Sequence, residues 1–273
     1  MARARRPHNL EAKLEANSAA IIAEPQRLRG NWRSLMPHAR EIRLDLGCGK
    51  GSFLAEAAQK EPDVLFVGID ISPICVANAA LALVSKNITN AFVCEADAHK
   101  LREFFAIKEL QYVYLNFSAP FPKAKNAKKR LTHLDFLMTY RQLVGETGTV
   151  EMRTDNVLFW EFSLRQFEIA GYSILQQTSN LHRDAACFDT VLTSEYNTRA
   201  TRDGVPVYAL RAQPGPEPEH VEQCAPLGLL AYLPEDVEHF DQIPYGMEDA
   251  IANIVHQRAN TARRALRHAS SAK

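Results

Sequence analysis

From residue 42 onward, short apolar runs alternate with segments whose apolar residues recur every three or four positions. The runs predict strands and the three-to-four spacing predicts helices. The predicted strands are 42–46, 64–69, 91–94, 111–116, 148–153 and 172–178, and the predicted helices lie near 51–60, 73–85, 98–105, 133–144 and 156–170. This alternation is typical of an α/β fold with a mostly parallel sheet and helices on both faces. Segments 194–199 and 205–210, around Gly204, predict an antiparallel hairpin that closes the sheet.

The flanks of this pattern differ from its centre. Residues 1–40 are basic and then weakly amphipathic, which predicts a helical N-terminal extension. The proline-rich run 214–219 reads as a linker by composition. We therefore expect an extension over 1–40, a main domain over 41–212, and a linker with a helical tail over 213–273. For that tail, the sequence favours a docked appendage over an RNA-binding arm.

Composition narrows the possible partners and the compartment. Lys+Arg and Asp+Glu both number 32, so the whole chain has no net field that would attract a polyanion. The five cysteines are scattered without a C-x-x-C pair, which argues against a zinc site and, with no recognisable secretory signal, predicts a reducing cytoplasm. The longest apolar run, 74–84, is too short to span a membrane, so no membrane partner is expected. Monomer and homodimer both stay open.

Three glycines, Gly47, Gly49 and Gly51, follow the first predicted strand and its acidic residue Asp45. Glycine reaches positive φ without a Cβ clash and lets a ligand approach the backbone. The spacing is G-x-G-x-G, whereas the dinucleotide fingerprint is G-x-G-x-x-G, whose third glycine would fall on Ser52. The turn therefore predicts a nucleotide-like ligand other than NAD.

Acidic residues lie at or just beyond the ends of three successive predicted strands, at Asp45, Asp70 and Asp97. A carboxylate at Asp70 suits the two hydroxyl donors of a ribose, and one at Asp97 suits the exocyclic amine of an adenine. A phosphate-binding loop would hardly place Asp45 beside it, but Asp45 can face a cation. The set favours S-adenosylmethionine over NAD, although each acid alone could be an ordinary loop acid or helix cap.

A basic stretch follows the fourth predicted strand after two prolines. Five cationic side chains fall within eight residues, and they are Lys123, Lys125, Lys128, Lys129 and Arg130. Charge runs are usually solvated surface. Here the run follows a strand end beside the expected ligand pocket, where lysines and arginines would bind phosphates in a salt-dependent way.

Residues 116–133 resemble the bacterial tRNA (guanine-N7)-methyltransferase family, whose loop reads N-F-S-D-P-W-P-K before a basic R-R-L-T run. The resemblance extends collinearly from about residue 14 to residue 211. The matching segments are N-F-S-A-P-F-P-K at 116–123, K-R-L-T at 129–132, the glycine loop 47–51, G-I-D-I at 68–71, T-D-N at 154–156, L-H at 181–182, S-E-Y-N at 194–197 and G-V-P-V-Y at 204–208.

The resemblance implies a Rossmann-like class I methyltransferase that uses S-adenosylmethionine to methylate N7 of a guanine in tRNA, in the variable loop. The implied cofactor-binding residues are Asp45, Gly47, Gly49, Gly51, Asp70, Asp97 and Asn116. The implied substrate-binding residues are Lys123, Asp155, Ser194, Glu195, Tyr196 and Asn197, with Asp155 also expected to be catalytic. The implied RNA-contacting residues are Lys125, Lys128, Lys129 and Arg130.

Three positions depart from the family pattern. The loop acid before the first proline, treated as catalytic in the family, is Ala119; the loop tryptophan is Phe121, and the last acid of T-E-Y-E is Asn197. A catalytically impaired RNA-binding relative is therefore the alternative function. A small-molecule methyltransferase fits the basic run less well, and an NAD oxidoreductase fits the glycine spacing less well.

Overall fold

The computed structural model describes residues 9–184, 188, 204–234, 243–244 and 247–271. Within these residues, seven strands form one sheet in the order β3-β2-β1-β4-β5-β7-β6. The strands are β1 (Glu41–Leu46), β2 (Val64–Asp70), β3 (Ala91–Glu95), β4 (Tyr112–Asn116), β5 (Thr149–Thr154), β6 (Tyr172–Thr178) and β7 (Tyr208–Pro214). Each of the six predicted strands is present: β6 has the predicted bounds, and the bounds of the other five differ by one residue at one or both ends.

Helices cover both faces of the sheet, as the alternating pattern predicts. They are α1 (Leu10–Ala16), α2 (Ser52–Lys60), α3 (Pro73–Ser85), α4 (Leu101–Phe104), α5 (Leu134–Val144), α6 (Val157–Ile169) and α7 (Glu248–Ser271). Apolar residues of α2 and α3 form one cluster with β2 and β3, whereas α4, α5 and α6 pack into a larger cluster on the other face. Local sequence fixes several helix starts: Ser72 and Asn156 accept backbone N–H groups at the starts of α3 and α6.

The antiparallel part of the sheet differs in detail from the predicted hairpin. β7 runs antiparallel between β5 and β6 and begins at Tyr208, three residues after the predicted start of the second arm. Its neighbours in the described part of the chain are β5 and β6. The first predicted arm, 194–199, lies outside the described residues.

The centre of the sheet sets the position of a site. β1 pairs in parallel with β2 on one side and with β4 on the other. The chain therefore winds outward in two directions from this point, which opens a crevice above the carboxyl ends of β1 and β4. Asp45, Asp70 and Asp97 lie at or just beyond strand ends on this edge.

The segments that flank the predicted main domain pack against the body. Trp32 is fully buried and donates its indole N–H to the Phe104 carbonyl, and residue 22 pairs with the Val93 carbonyl beside β3. Beyond β7, Arg141 of α5 donates to the carbonyls of Gly215 and Pro216. We refer to residues 215–234 as the strap. The boundaries 41–212 stay a prediction. In the part of the chain that the structure describes, no helix is long and apolar enough to cross a membrane.

Candidate functional site

A cavity of about 630 Å³ opens at the carboxyl ends of β1 to β4. Six of the seven residues predicted for the cofactor line it, namely Asp45, Gly47, Gly49, Asp70, Asp97 and Asn116. The exception is Gly51, which lies behind the cavity at the start of α2. The structure therefore brings together acids that are separated by up to 52 positions in the sequence.

The glycine loop is held by the end of β2. The backbone N–H groups of Gly47 and Cys48 donate to the Ile69 carbonyl at 2.7 and 3.1 Å, and that of Gly49 donates to a carboxylate oxygen of Asp70 at 3.0 Å. Gly49 has φ +55°, and a Cβ built on it would meet no atom within 4 Å. Gly49 thus lies at open cavity space, which a ligand can approach closely.

Unlike Gly49, Gly51 lies where α2 packs against α3. Its φ is +77°, and an added Cβ would lie 2.7 Å from Cβ and 2.8 Å from Cα of Ala79 on α3. No side chain fits between these two helices at this point. The third glycine of the loop therefore sets the approach of α2 to α3.

Asp45 is the most deeply buried acid of the cavity, with 1 % of its surface exposed. Burial raises its pKa to about 7, while the hydrogen bond from Asn116 and the positive charge of Arg153 oppose that rise. The Asn116 amide N–H donates to Asp45 at 3.3 Å. A buried carboxylate with a raised pKa gains the most from a cationic ligand.

Asp70 and Asp97 are oriented by backbone N–H groups. Asp70 accepts from Gly49 and Ser72, and burial raises its pKa. Asp97 accepts from the backbone N–H and the ring Nδ1 of His99, both at 2.9 Å, and these bonds lower its pKa. Both carboxylates keep fixed positions at the cavity wall.

Two polar atoms of the lining have no hydrogen-bond partner among the described residues. They are Oδ1 of Asn116 and Oγ of Ser118, both buried. Buried polar groups are rarely left unpaired, so each is available to a polar ligand. Together with three acids and an open glycine backbone, they fit an adenosyl group that carries a cation and no phosphate.

The loop that follows β4 is strained and tightly held. Phe117 and Phe121 line the cavity with φ of +50° and +42°, values that non-glycine residues rarely adopt. The guanidinium of Arg130 donates to the carbonyls of Pro120 at 2.8 Å and Phe121 at 2.7 Å. Strain at such a loop persists only where surrounding contacts fix it.

The RNA-contacting role predicted for Arg130 is wrong. This side chain is 0 % exposed, and besides the loop carbonyls it donates to the Leu227 carbonyl of the strap at 2.8 Å. It also stacks 4.3 Å above the Phe162 ring, and burial lowers its pKa to about 10. Arg130 is a structural clamp between the loop and the strap.

The four lysines of the basic stretch are exposed, unlike Arg130. They are Lys123, Lys125, Lys128 and Lys129. Lys129 also lines the cavity, as does Ala119. Lys129 therefore lies at the cavity, and the other three exposed lysines precede it in the same segment after the loop.

Asp155 is exposed and follows the last residue of β5. The backbone N–H of Phe117 donates to the Arg153 carbonyl at 2.8 Å, so the loop and the end of β5 lie side by side. Asp155 does not line the cavity itself. The predicted substrate residues Ser194, Glu195, Tyr196 and Asn197 lie outside the described residues.

Sequence reasoning missed His99 and Phe136. Both line the cavity, their rings lie 4.8 Å apart, and His99 holds Asp97. The two-residue spacing from Asp97 to His99 is the only local signal, since it is typical of an Asx turn. Phe136 reaches the cavity from α5, and nothing in its sequence context indicates that.

The chain is similar in sequence to known methyltransferases. Residues 39–210 match the model of a family described as "Putative methyltransferase". A tRNA (guanine-N(7)-)-methyltransferase of Geobacillus kaustophilus is 35% identical over 200 residues, which cover 73% of this chain and 91% of that protein. One of Brevibacillus brevis is 37% identical over 192 residues, which cover 70% of this chain and 89% of that protein.

Solved structures share the fold at low sequence identity. The 16S rRNA methyltransferase KamB superposes with a TM-score of 0.51 at 15% identity, covering 68% of this chain and 94% of that chain. A 16S rRNA (adenine(1408)-N(1))-methyltransferase of Catenulisporales acidiphilia, solved with its cosubstrate SAM, gives 0.50 at 13% identity, covering 70% and 92%. The class I arrangement predicted from the sequence is thereby confirmed.

Proposed function

Because this chain belongs to the family of tRNA (guanine-N(7)-)-methyltransferases, we propose that it transfers a methyl group from S-adenosylmethionine to N7 of a guanine in tRNA. The observation that carries the proposal is the convergence of Asp45, Asp70 and Asp97 on one cavity, which the exposed Lys129 also lines. Following the resemblance, we place the target guanine in the variable loop.

Different cavity residues would bind different parts of the cofactor. Asp70 would accept the ribose hydroxyls and Asp97 the adenine amine, while Asp45 and Asn116 would face the cationic amino-acid end. When bound, S-adenosylmethionine supplies an electrophilic methyl group on a sulfonium. Backbone N–H groups of Gly49 and His99 orient the carboxylates of Asp70 and Asp97.

Methylation of guanine N7 requires few catalytic groups from the protein. Guanine N7 already carries a lone pair and no proton, so the attack needs no general base. The protein must align N7, which is a matter of proximity and orientation. The base becomes cationic as it is methylated, and the carboxylate of Asp155 would stabilise that charge and accept hydrogen bonds from the guanine edge.

The remaining substrate residues would hold the RNA around this guanine. Lys123, Lys125, Lys128 and Lys129 are exposed beside the loop and would contact tRNA phosphates. The segment Ser194–Asn197 is assigned to the guanine by the resemblance alone. We also propose that the protein acts in the cytoplasm, since its five cysteines are scattered along the sequence without a C-x-x-C pair.

The impaired alternative rests on Ala119 alone among the described residues. Ala119 lines the cavity but supplies no carboxylate, so one stabilising contact is missing. Losing one such contact costs on the order of 10²–10³ in rate where no other group compensates. The curated relatives named above are methyltransferases, which supports turnover.

The test is methyl transfer from labelled S-adenosylmethionine to unmodified tRNA, followed by identification of the modified base. We expect 7-methylguanine from the native protein and a loss of roughly 10²–10³ in kcat/KM for Asp155→Ala, with cofactor affinity retained. Asp135→Ala, an exposed acid at the start of α5, is the matched control. A native protein that binds both ligands without turnover, while Ala119→Asp turns over, would contradict the proposal.

A further inference from the structure

Helix α7 begins beside the predicted substrate carboxylate. Met247 and Ile251 are 1 % and 2 % exposed and belong to the main core cluster. The Sδ atom of Met247 lies 3.9 Å from the amide nitrogen of Asn156, the residue that follows Asp155 and caps α6. The C-terminal helix is therefore anchored at the edge of the sheet where the cavity opens.

Beyond this anchor the helix leaves the body. Ile254 and Val255 are half-buried, and Arg258 donates to the Pro234 carbonyl at the end of the strap at 3.0 Å. Of the described side chains after Val255, all but that of Asn260 are exposed. The helical backbone continues to Ser271, which adds a projection of roughly 24 Å at the usual rise per residue.

The charge of this projection is opposite to that of the body. Residues 250–273 carry four arginines, one lysine and no acid, a net charge of +5. Since the whole chain is neutral and residues 1–8 add three arginines, residues 9–249 carry 24 basic and 32 acidic side chains, a net charge of −8. The body on its own would repel a polyanion, so basic character at its edges decides how RNA binds.

Three of the four arginines of α7 share one side of a helical wheel drawn from the sequence. At 100° per residue, Arg263, Arg264 and Arg267 fall within about 100° of one another. The same geometry puts Met247 and Ile251 on the opposite side. On this wheel, Arg258 falls on the side that anchors the helix, whereas Arg263, Arg264 and Arg267 fall on the other side, as in amphipathic helices with two distinct faces.

We propose that the projecting half of α7 is an RNA-binding arm that contacts phosphates of the same tRNA whose guanine enters the cavity. The identification of tRNA as the bound molecule rests on the proposed function. It assigns a role to a segment outside residues 39–210, the part of the chain that matches the family model. The sequence favoured a docked appendage; the structure shows that docking involves the first two turns and leaves the arginine-bearing part of the backbone beyond them.

The test compares two triple variants of the full-length protein. Arg263→Gln/Arg264→Gln/Arg267→Gln neutralises the arm, and glutamine keeps helix propensity. Lys60→Gln/Lys86→Gln/Lys108→Gln removes the same charge from exposed positions at the opposite, amino edge of the sheet. Binding of unmodified tRNA is measured over a range of salt concentrations, together with KM for tRNA.

We expect the arm variant to lower the slope of log affinity against log salt by about 2 to 3 and to weaken binding roughly 10- to 100-fold at physiological salt. KM for tRNA rises accordingly, and affinity for S-adenosylmethionine is unchanged. The control variant keeps the parental slope. Circular dichroism of both variants checks that helix content is retained.

Equal slopes in the two variants would overturn the inference. So would an arm variant that changes the oligomeric state in sedimentation while its salt slope stays parental, since α7 would then be a self-association helix. A parental protein that transfers no methyl group to tRNA fails the proposed function instead. In that case a reduced salt slope in the arm variant would still establish the arm as RNA-binding.

Discussion

The half of this site that we propose binds the cofactor (the cofactor half) and the half that we propose binds the guanine (the substrate half) are built in different ways. The cofactor half draws on Asp45, Asp70 and Asp97, each fixed by hydrogen bonds to its own or the adjacent strand end. In the substrate half, Arg130 joins the loop to Leu227, 97 positions away, and Asn156 contacts Met247, 91 positions away. The contacts of the cofactor half stay within residues 45–116, whereas those of the substrate half depend on the C-terminal region.

This difference assigns a function to the strap. Besides the Arg130 bond, the backbone N–H of Leu229 donates to the Pro122 carbonyl at 3.0 Å. Leu229 itself is buried against α6. The strained loop is therefore held from the side opposite the cavity, so residues far outside the family motifs set the geometry at the substrate side.

Arg130→Ala should have the largest effect on stability. It leaves three carbonyls of half-buried residues without this donor and removes a buried cation stacked on Phe162, so the free energy of unfolding should fall by about 3 to 5 kcal/mol. Urea unfolding measures it. Because the side chain is buried, the salt dependence of tRNA binding should keep its slope.

Lys128→Ala is the matched control for Arg130. Lys128 is exposed and lies 3.8 Å from Asp135, a surface pair that contributes less than about 1 kcal/mol. Its loss should leave stability nearly unchanged and lower the salt slope by about 1. If Arg130→Ala instead kept its stability and lowered the salt slope of tRNA binding, Arg130 would be an RNA-contacting residue after all.

Two glycine variants test the cofactor half in the same manner. Gly51→Ala forces a Cβ to within 2.8 Å of the Ala79 backbone at positive φ, so we expect a loss of about 2 to 3 kcal/mol in the free energy of unfolding. Gly49→Ala meets no atom within 4 Å and should cost only about 1 kcal/mol, for the positive φ.

In cofactor affinity, measured by calorimetry, Gly49→Ala should lose more than Gly51→Ala, which is the reverse of their order in stability. The methyl group of Gly49→Ala would occupy space at the cavity wall, whereas that of Gly51→Ala lies behind it. Equal losses of stability in both variants would mean that Gly51 is not a packing glycine.

The sequence predicted most of the residues that meet in the proposed cofactor half, because their signals are local. Strand ends, glycines and acids occur together over residues 45–97, and parallel topology brings successive strand ends to one edge. Arg130 shows where such reasoning fails. It lies in a run of cations that reads as surface, and only the packing of a segment 97 positions away buries it. The contact between Met247 and Asn156 is likewise invisible in either local sequence.

The smallest predicted effect, and the most specific one, is a pH dependence of stability that comes from Asp45. Burial raises the pKa of Asp45 to about 7, well above its ordinary value of 3.8. Between about pH 4 and pH 7, the folded protein thus binds more protons than the unfolded chain. The stability of the cofactor-free protein therefore falls as pH rises through that window.

Cofactor binding should follow the opposite trend. The cationic end of S-adenosylmethionine favours ionised Asp45, so below pH 7 affinity should fall by up to about tenfold per pH unit. Asp45→Asn should remove this pH dependence, weaken cofactor binding at pH 8 and stabilise the cofactor-free protein there. Calorimetry at several pH values and urea unfolding at pH 8 measure the two effects. A parental pH profile in Asp45→Asn would show that another group of the cavity responds to the cation, and Asp70, whose pKa burial also raises, would be the residue to replace next.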